Sequence, residues 1–165
     1  MTADARPAIV LGAGEGIDAS RQNGRDISLK ATASHSAGQI AVHEAAHPPG
    51  VPGPPVHRHP NSEEVFYVLE GHLRVQVDGT DHTVAPGGFV LVPAGMSHGF
   101  VTEGHEPARF LVVHSPAGFE QFFVAVAEAE AANGGELGPA DLGPIASRFD
   151  WEAVGPPMPV RTPPG

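Results

Sequence analysis

The sequence predicts an all-β fold, a closed or two-sheet barrel carrying one or two C-terminal helices. Three observations predict it. Short β-rich runs follow one another between glycine and proline punctuation, and these two residues number 21 and 18 in the chain of 165. Apolar residues make up 41%, enough to fill one core at a single-domain length. Helical spacing of apolar residues begins only after Ser115-Pro116. The expected layout is an N-terminal arm over 1–22, a β-barrel over 23–116, a helical segment packed on the barrel over 117–150 and a proline-rich tail over 151–165.

Each element has its own signal. Ala8 to Gly16 contains Gly12-x-Gly14-x-Gly16, which misses the dinucleotide spacing and is followed by no helical pattern, so it reads as a glycine-rich turn after a short strand. Strands are expected at Ile27 to Ala33 and Ile40 to Ala45, then a Pro-Gly loop from Pro48 to Pro55. Pro54, Pro55 and Pro60 forbid a helix across His57 and His59, and Val65 to Leu69 is a β-rich run. Gly71 is a turn, Leu73 to Val77 alternates with Arg74 and Gln76, and Asp78-Gly79 is a hairpin turn. His82 to Ala85, Phe89 to Val92, His98 to Thr102 and Arg109 to Val113 complete eight to ten strands, whose closure protects sheet edges. Ser115 is placed as N-cap before a first-position proline, and Phe119, Phe122, Phe123 and Val126 then recur at helical spacing until Asn133-Gly134. That stripe is expected to pack on the barrel's outer face. A second short helix is expected over Asp141 to Phe149, and Gly155 to Gly165, with five prolines, as an extended tail that covers a neighbour or stays mobile.

Four residues carry the chemistry. Residues i and i+2 of a strand face the same side roughly 6.5–7 Å apart, so His57 and His59 can face one ion. Glu64 follows the Pro60-Asn61-Ser62 loop, which turns its carboxylate back towards the imidazoles, and the turn at Pro93-Ala94-Gly95 brings in His98. Three imidazoles and one carboxylate suit a divalent first-row transition ion (Fe, Mn, Ni, Zn, Co or Cu) and disfavour calcium. Four protein ligands leave one or two positions open on a five- or six-coordinate ion, as catalysis requires. Phe66, Val68 and Phe100 share parity with Glu64 and His98 and are expected to line an apolar pocket. Of the other histidines, His35, His43, His47, His82 and His105 are expected to be solvated, and His72 and His114 to be hydrogen-bonded structural residues.

The pattern His57-x-His59-x4-Glu64-x6-Gly71 followed by Gly87-x5-Pro93-x-Gly95-x2-His98 resembles both motifs of the cupin superfamily. The resemblance covers about Pro54 to His114, and the wider layout is similar to small single-domain cupins of the quercetin-dioxygenase-like kind. It implies a double-stranded β-helix, the jelly-roll or cupin barrel, with the four matching residues as metal ligands. It also selects Glu64 over the adjacent Glu63, by spacing to Gly71. Two positions depart from the pattern: Val51 stands where a glycine is expected, with Gly50 and Gly53 nearby, and Thr102 where an asparagine is expected.

The implied function is that of a mononuclear metal-dependent dioxygenase. It would act on a small enolic or phenolic, flavonol-like substrate, with dioxygen as co-substrate and Glu64 as ligand and catalytic base. A redox-neutral metal-dependent isomerase, cyclase or decarboxylase is the alternative, and a non-catalytic small-molecule-binding domain a third reading. A formal charge of −10 disfavours nucleic acid and anionic membranes as partners. The absence of cysteine excludes disulfides and thiolate chemistry. No apolar run resembles a signal peptide or membrane span, so a cytoplasmic protein is expected. Val65, Tyr67 and Leu69 form an apolar face opposite the pocket, and the resemblance implies pairing through it as a homodimer.

Overall fold

The computed structural model describes residues 6–22 and 24–161. In chain order the elements are β1 (Ile17–Gln22), β2 (Arg25–Ala31), α1 (Ala33–Ser36), β3 (Ala41–His47), β4 (Pro55–Arg58), β5 (Glu63–Glu70) and β6 (His72–Val77). Then come β7 (Thr80–Val84), β8 (Phe89–Val92), β9 (His98–Glu103), β10 (Ala108–Ser115), α2 (Glu120–Asn133), α3 (Pro139–Ala146) and β11 (Glu152–Pro157). The strands form two antiparallel sheets, ordered β1-β2-β3-β10-β5-β8 and β11-β4-β9-β6-β7. This is the expected all-β, double-stranded β-helix architecture with C-terminal helices.

Period-2 alternation fixes the register, because one residue of slip would turn every apolar side chain to solvent. On β5, Glu64, Phe66 and Val68 are buried while Glu63, Tyr67 and Glu70 are exposed. The core lies between the sheets, where Phe66 and Val68 meet Leu73, Val75, Phe110 and Val112. Among the described residues no helix is long and apolar enough to cross a membrane.

Several elements differ from the sequence expectation. Ala8 to Leu11 forms no strand, whereas Ile17–Gln22, placed in the expected arm, pairs with β2. Ser115 is not a helix cap: it ends β10, its hydroxyl bonds the Gln39 carbonyl, and the helix starts at Glu120. The C-terminal end of α2 falls as expected, with Gly134 in the left-handed conformation. The second helix begins earlier, at Pro139, with Asp141 accepting from the Gly138 backbone N–H at 3.1 Å.

The proline-rich tail is also different from its expectation, up to residue 161 where the described residues end. Glu152–Pro157 is an edge strand on β4, and Met158 is buried. The reason lies on β6. Arg74, which alternates with the apolar residues of that strand, is 1% exposed, and its guanidinium reaches Glu103 at 2.8 Å, Asp81 at 3.0 Å and the Pro159 carbonyl. The tail crosses this charge and is held by it, with Arg161 adding a second contact to Asp81 at 2.8 Å.

Candidate metal centre

Strand register assembles the four residues. His57 on β4 pairs directly with His98 on β9. Glu64, the second residue of β5, lies opposite His114 of β10. His59 follows β4, just before the turn, where the Gly95 N–H donates to its carbonyl at 2.7 Å. All four residues are at most 5% exposed, whereas Glu63 is exposed. One ligand atom from each of His57, His59, Glu64 and His98 lies within 4.8 Å of all the others, so the group could hold a metal ion. Glu64 Oε2 is 2.5 Å from His98 Nε2 and 3.3 Å from His59 Nε2.

The outer nitrogens decide the tautomers. Nδ1 of His57, His59 and His98 meets the carbonyls of Pro55 at 2.8 Å, Asp150 at 2.5 Å and Met96 at 3.0 Å. A carbonyl only accepts, so each Nδ1 carries a proton and donates it, and Nε2 turns to the shared space, where that of His98 hydrogen-bonds Glu64 Oε2 at 2.5 Å in the position a cation would take. His59 Nε2 is buried without a hydrogen bond, an orphan that a cation would satisfy. Three neutral nitrogens and one carboxylate therefore fit a divalent transition ion.

The electrostatics agree with this fit. Burial, helped by nearby His98, pushes His57 down to about 3, so it stays neutral. Burial would raise Glu64, but His114, His59 and His98 outweigh it and hold the carboxyl well below its usual range. Burial also opposes protonation of His59, yet the Glu64 carboxylate 3.3 Å away and the Asp150 carbonyl win and raise it. The anionic centre thus favours positive charge beside His59, and a dication would supply it.

The C-terminal segment completes the centre. Besides its carbonyl contact to His59, Asp150 accepts through its carboxylate from the Asn61 N–H at 3.0 Å, Asn61 Nδ2 at 2.9 Å and Ser62 Oγ at 2.6 Å. Trp151 stacks on His57 with centroids 5.6 Å apart.

A cavity of about 660 Å³ opens beside the cluster and reaches it at His57 and Glu64. Phe100 lines it, as expected, but Phe66 and Val68 do not: both are 0% exposed and lie in the core between the sheets. Parity aimed them inward correctly, but the inner face of the sheet is solid at that depth. The phenylalanine stripe of α2 is likewise not on the barrel's outer face. Phe119, Phe122, Phe123 and Val126 wall the cavity, because α2 packs against β1 and β3 at the barrel's open end.

Four histidines stand elsewhere than the sequence predicts. His43 and His47, expected to be solvated, are 4% and 5% exposed and line the cavity. His114, expected to be hydrogen-bonded, is 0% exposed, and neither ring nitrogen makes a hydrogen bond. Its Nε2 lies 3.4 Å from Glu64 Oε1, close enough for charge attraction but outside hydrogen-bond geometry. The signal was present on β3, where His43 and His47 share parity with Ala41 and Ala45 and so take the inward face. His72 is exposed. The two motif departures are met locally. A Cβ on Gly53 would fall 1.8 Å from the Phe100 carbonyl oxygen, so the close approach that demands glycine occurs there and not at 51. Thr102 donates to the His47 carbonyl at 3.2 Å.

Comparison with known proteins agrees with this architecture. Residues 44–114 match the family model of the cupin domain. The chain is 40% identical over 60 residues to the polyketide synthase CurC of Streptomyces cyaneus, a segment covering 36% of this chain and 39% of that protein. It is 33% identical over 94 residues to quercetin 2,3-dioxygenase of Bacillus subtilis (strain 168), covering 57% and 26% respectively. The matched segments thus span less than half the length of these relatives. Among solved structures, an RmlC-like cupin from Shewanella frigidimarina NCIMB 400 superposes with a TM-score of 0.57 at 22% identity, over 67% of this chain and 93% of that one.

Proposed function

Because this chain carries a cupin domain, we propose that it is a metal-dependent dioxygenase acting on a small enolic or phenolic substrate. The observation that supports this most is the buried cluster of His57, His59, Glu64 and His98 opening onto an apolar cavity. Its similarity to quercetin 2,3-dioxygenase supports the reaction class.

The chain's own residues divide the work. His57, His59 and His98 present neutral Nε2 atoms, held in that tautomer by three backbone carbonyls. Glu64 stays ionised, and with one oxygen towards His98 and the other towards His114 it can accept a substrate hydroxyl proton. Its low basicity means that the hydroxyl must be acidified first. A divalent ion held by His57, His59, Glu64 and His98 would supply Lewis-acid chemistry that acidifies such a hydroxyl. Phe119, Phe122 and Trp151 exclude water around the reacting centre.

The similarity to the polyketide synthase CurC favours a second reading, a redox-neutral cyclase or isomerase using the same site. The exposed apolar residues Tyr67, Phe89 and Leu91 support pairing of two copies through the outer face of β5 and β8.

Elemental analysis of protein purified without chelator should find about one transition ion per chain, and near none in a His57→Ala, His59→Ala double variant. Equal, near-zero metal in both overturns the metal reading. Phenolic substrates presented to the loaded protein should turn over under air and not under argon. Turnover under argon would replace oxygenation by the redox-neutral reading.

A further inference from the structure

The two long walls of the cavity differ in chemistry. On the α2 side stand Phe119, Phe122 and Phe123; on the β3 side, His43, Ala45 and His47. The β3 side follows from strict alternation along Ala41–His47, every second residue being buried. Ala45 is small, so the histidines to either side of it remain as polar points on an apolar surface.

His43 is the more telling of the two. It is 4% exposed, and its Nδ1 is enclosed without any hydrogen-bond partner. Phe123 meets its ring edge-on at 4.8 Å, and His114 stacks on it at 5.8 Å, between it and Glu64. Neither neighbour satisfies it. A buried polar group left unpaired is costly, and such groups in native proteins ordinarily find a partner. Nδ1 is closed off from the cavity as well, so a ligand in the cavity that His43 lines would meet the other ring nitrogen, Nε2. The volume of about 660 Å³ falls in the range that encloses drug-sized, multi-ring ligands.

We propose that His43 is a recognition residue for a second oxygen on a multi-ring aromatic ligand, whose first oxygen lies at the His57 and Glu64 end of the cavity. The inference rests on the proposed reading of the metal centre for the first oxygen only. A neutral imidazole both donates and accepts, so the second oxygen is a hydroxyl or a ring carbonyl. The phenylalanines of α2 then cover the opposite face of the ring system. His47, four residues further along β3 and about 13 Å away at strand rise, extends the same strip for longer ligands.

The test compares two flavonols that share the metal-binding hydroxy-ketone: quercetin, and 3-hydroxyflavone, which lacks the remaining hydroxyls. Binding to the nickel-loaded protein is read under argon from the shift of the probe's absorption band, so no turnover is needed. The wild type should prefer quercetin by about three- to tenfold, the worth of one hydrogen bond. His43→Leu should abolish that preference with little change for 3-hydroxyflavone, and His43→Gln, which keeps a donor and an acceptor, should retain part of it. If the leucine variant does not fold, His43→Phe keeps the ring volume and must give the same loss. A preference that survives in these apolar variants, no preference in the wild type, or binding of neither probe would overturn the proposal. Loss of preference at His43, together with no oxygen uptake by the wild type under air, would sink the oxygenation reading and leave the subsite standing.

Discussion

Asp150 acts on the metal centre through His59. Its carbonyl takes the His59 Nδ1 proton while its carboxylate grips Asn61 and Ser62, the turn that leads to Glu64. Outer partners of this kind set ring orientation and lone-pair basicity. Asp150→Ala keeps that carbonyl and removes only the carboxylate that holds Asn61 and Ser62, so zinc or nickel binding should weaken by about tenfold or less in a chelator competition, with far-ultraviolet circular dichroism unchanged. Asp150→Asn, which still accepts a hydrogen bond, should lose less. The ligands themselves were legible because period 2 and a proline turn place them within a short stretch. Asp150 was not, since 91 residues separate it from His59 and only the folded chain brings them together. His114 escaped for a related reason: its partner Glu64 lies across a strand pair, invisible in local spacing.

At the scale of elements, the loop before β4 is pressed onto β9, the strand that carries His98. Gly53→Ala would drive a methyl group into the Phe100 carbonyl, 1.8 Å from its ideal position. Relief requires backbone movement, and overpacking of this kind costs about 1–3 kcal/mol. A thermal melt should show a drop of roughly 2–12 °C for a chain of this size, and the loaded protein should hold its ion less tightly, because the β4–β9 pair is what aligns His57 with His98. Strands β5, β6, β8, β9 and β10 were readable from alternation and turn residues, since each buries one face. The edge strands β1 and β11 were not, because pairing with a neighbour, not apolar patterning, holds them in place. The spacing of α2 was readable as a helix, but the surface it covers is a tertiary fact, and here it is the cavity.

For the molecule as a whole, buried neutral histidines set a pH limit. Burial above all pushes His43 and His47 down to about 3 from an ordinary 6.5. Between those values the unfolded chain binds protons that the folded chain refuses, so folding stability falls as pH drops below 6.5. The slope approaches about 1.4 kcal/mol per pH unit for each such histidine. Urea unfolding between pH 6.5 and 5, above most carboxylate titration, should show this decline, and His47→Leu should make it shallower. The barrel class was legible from punctuation and composition, whereas the ionisation of these two residues depended on knowing which way β3 faces.

The chain has one tryptophan, and its indole lies against His57 with ring planes 29° apart. Its emission therefore comes from a single place, beside one of the four donors. Copper or nickel arriving there would drain the excited state, and zinc, lacking low-lying electronic states, would not. The protein thus carries its own optical gauge of which ion it holds, readable without label or substrate.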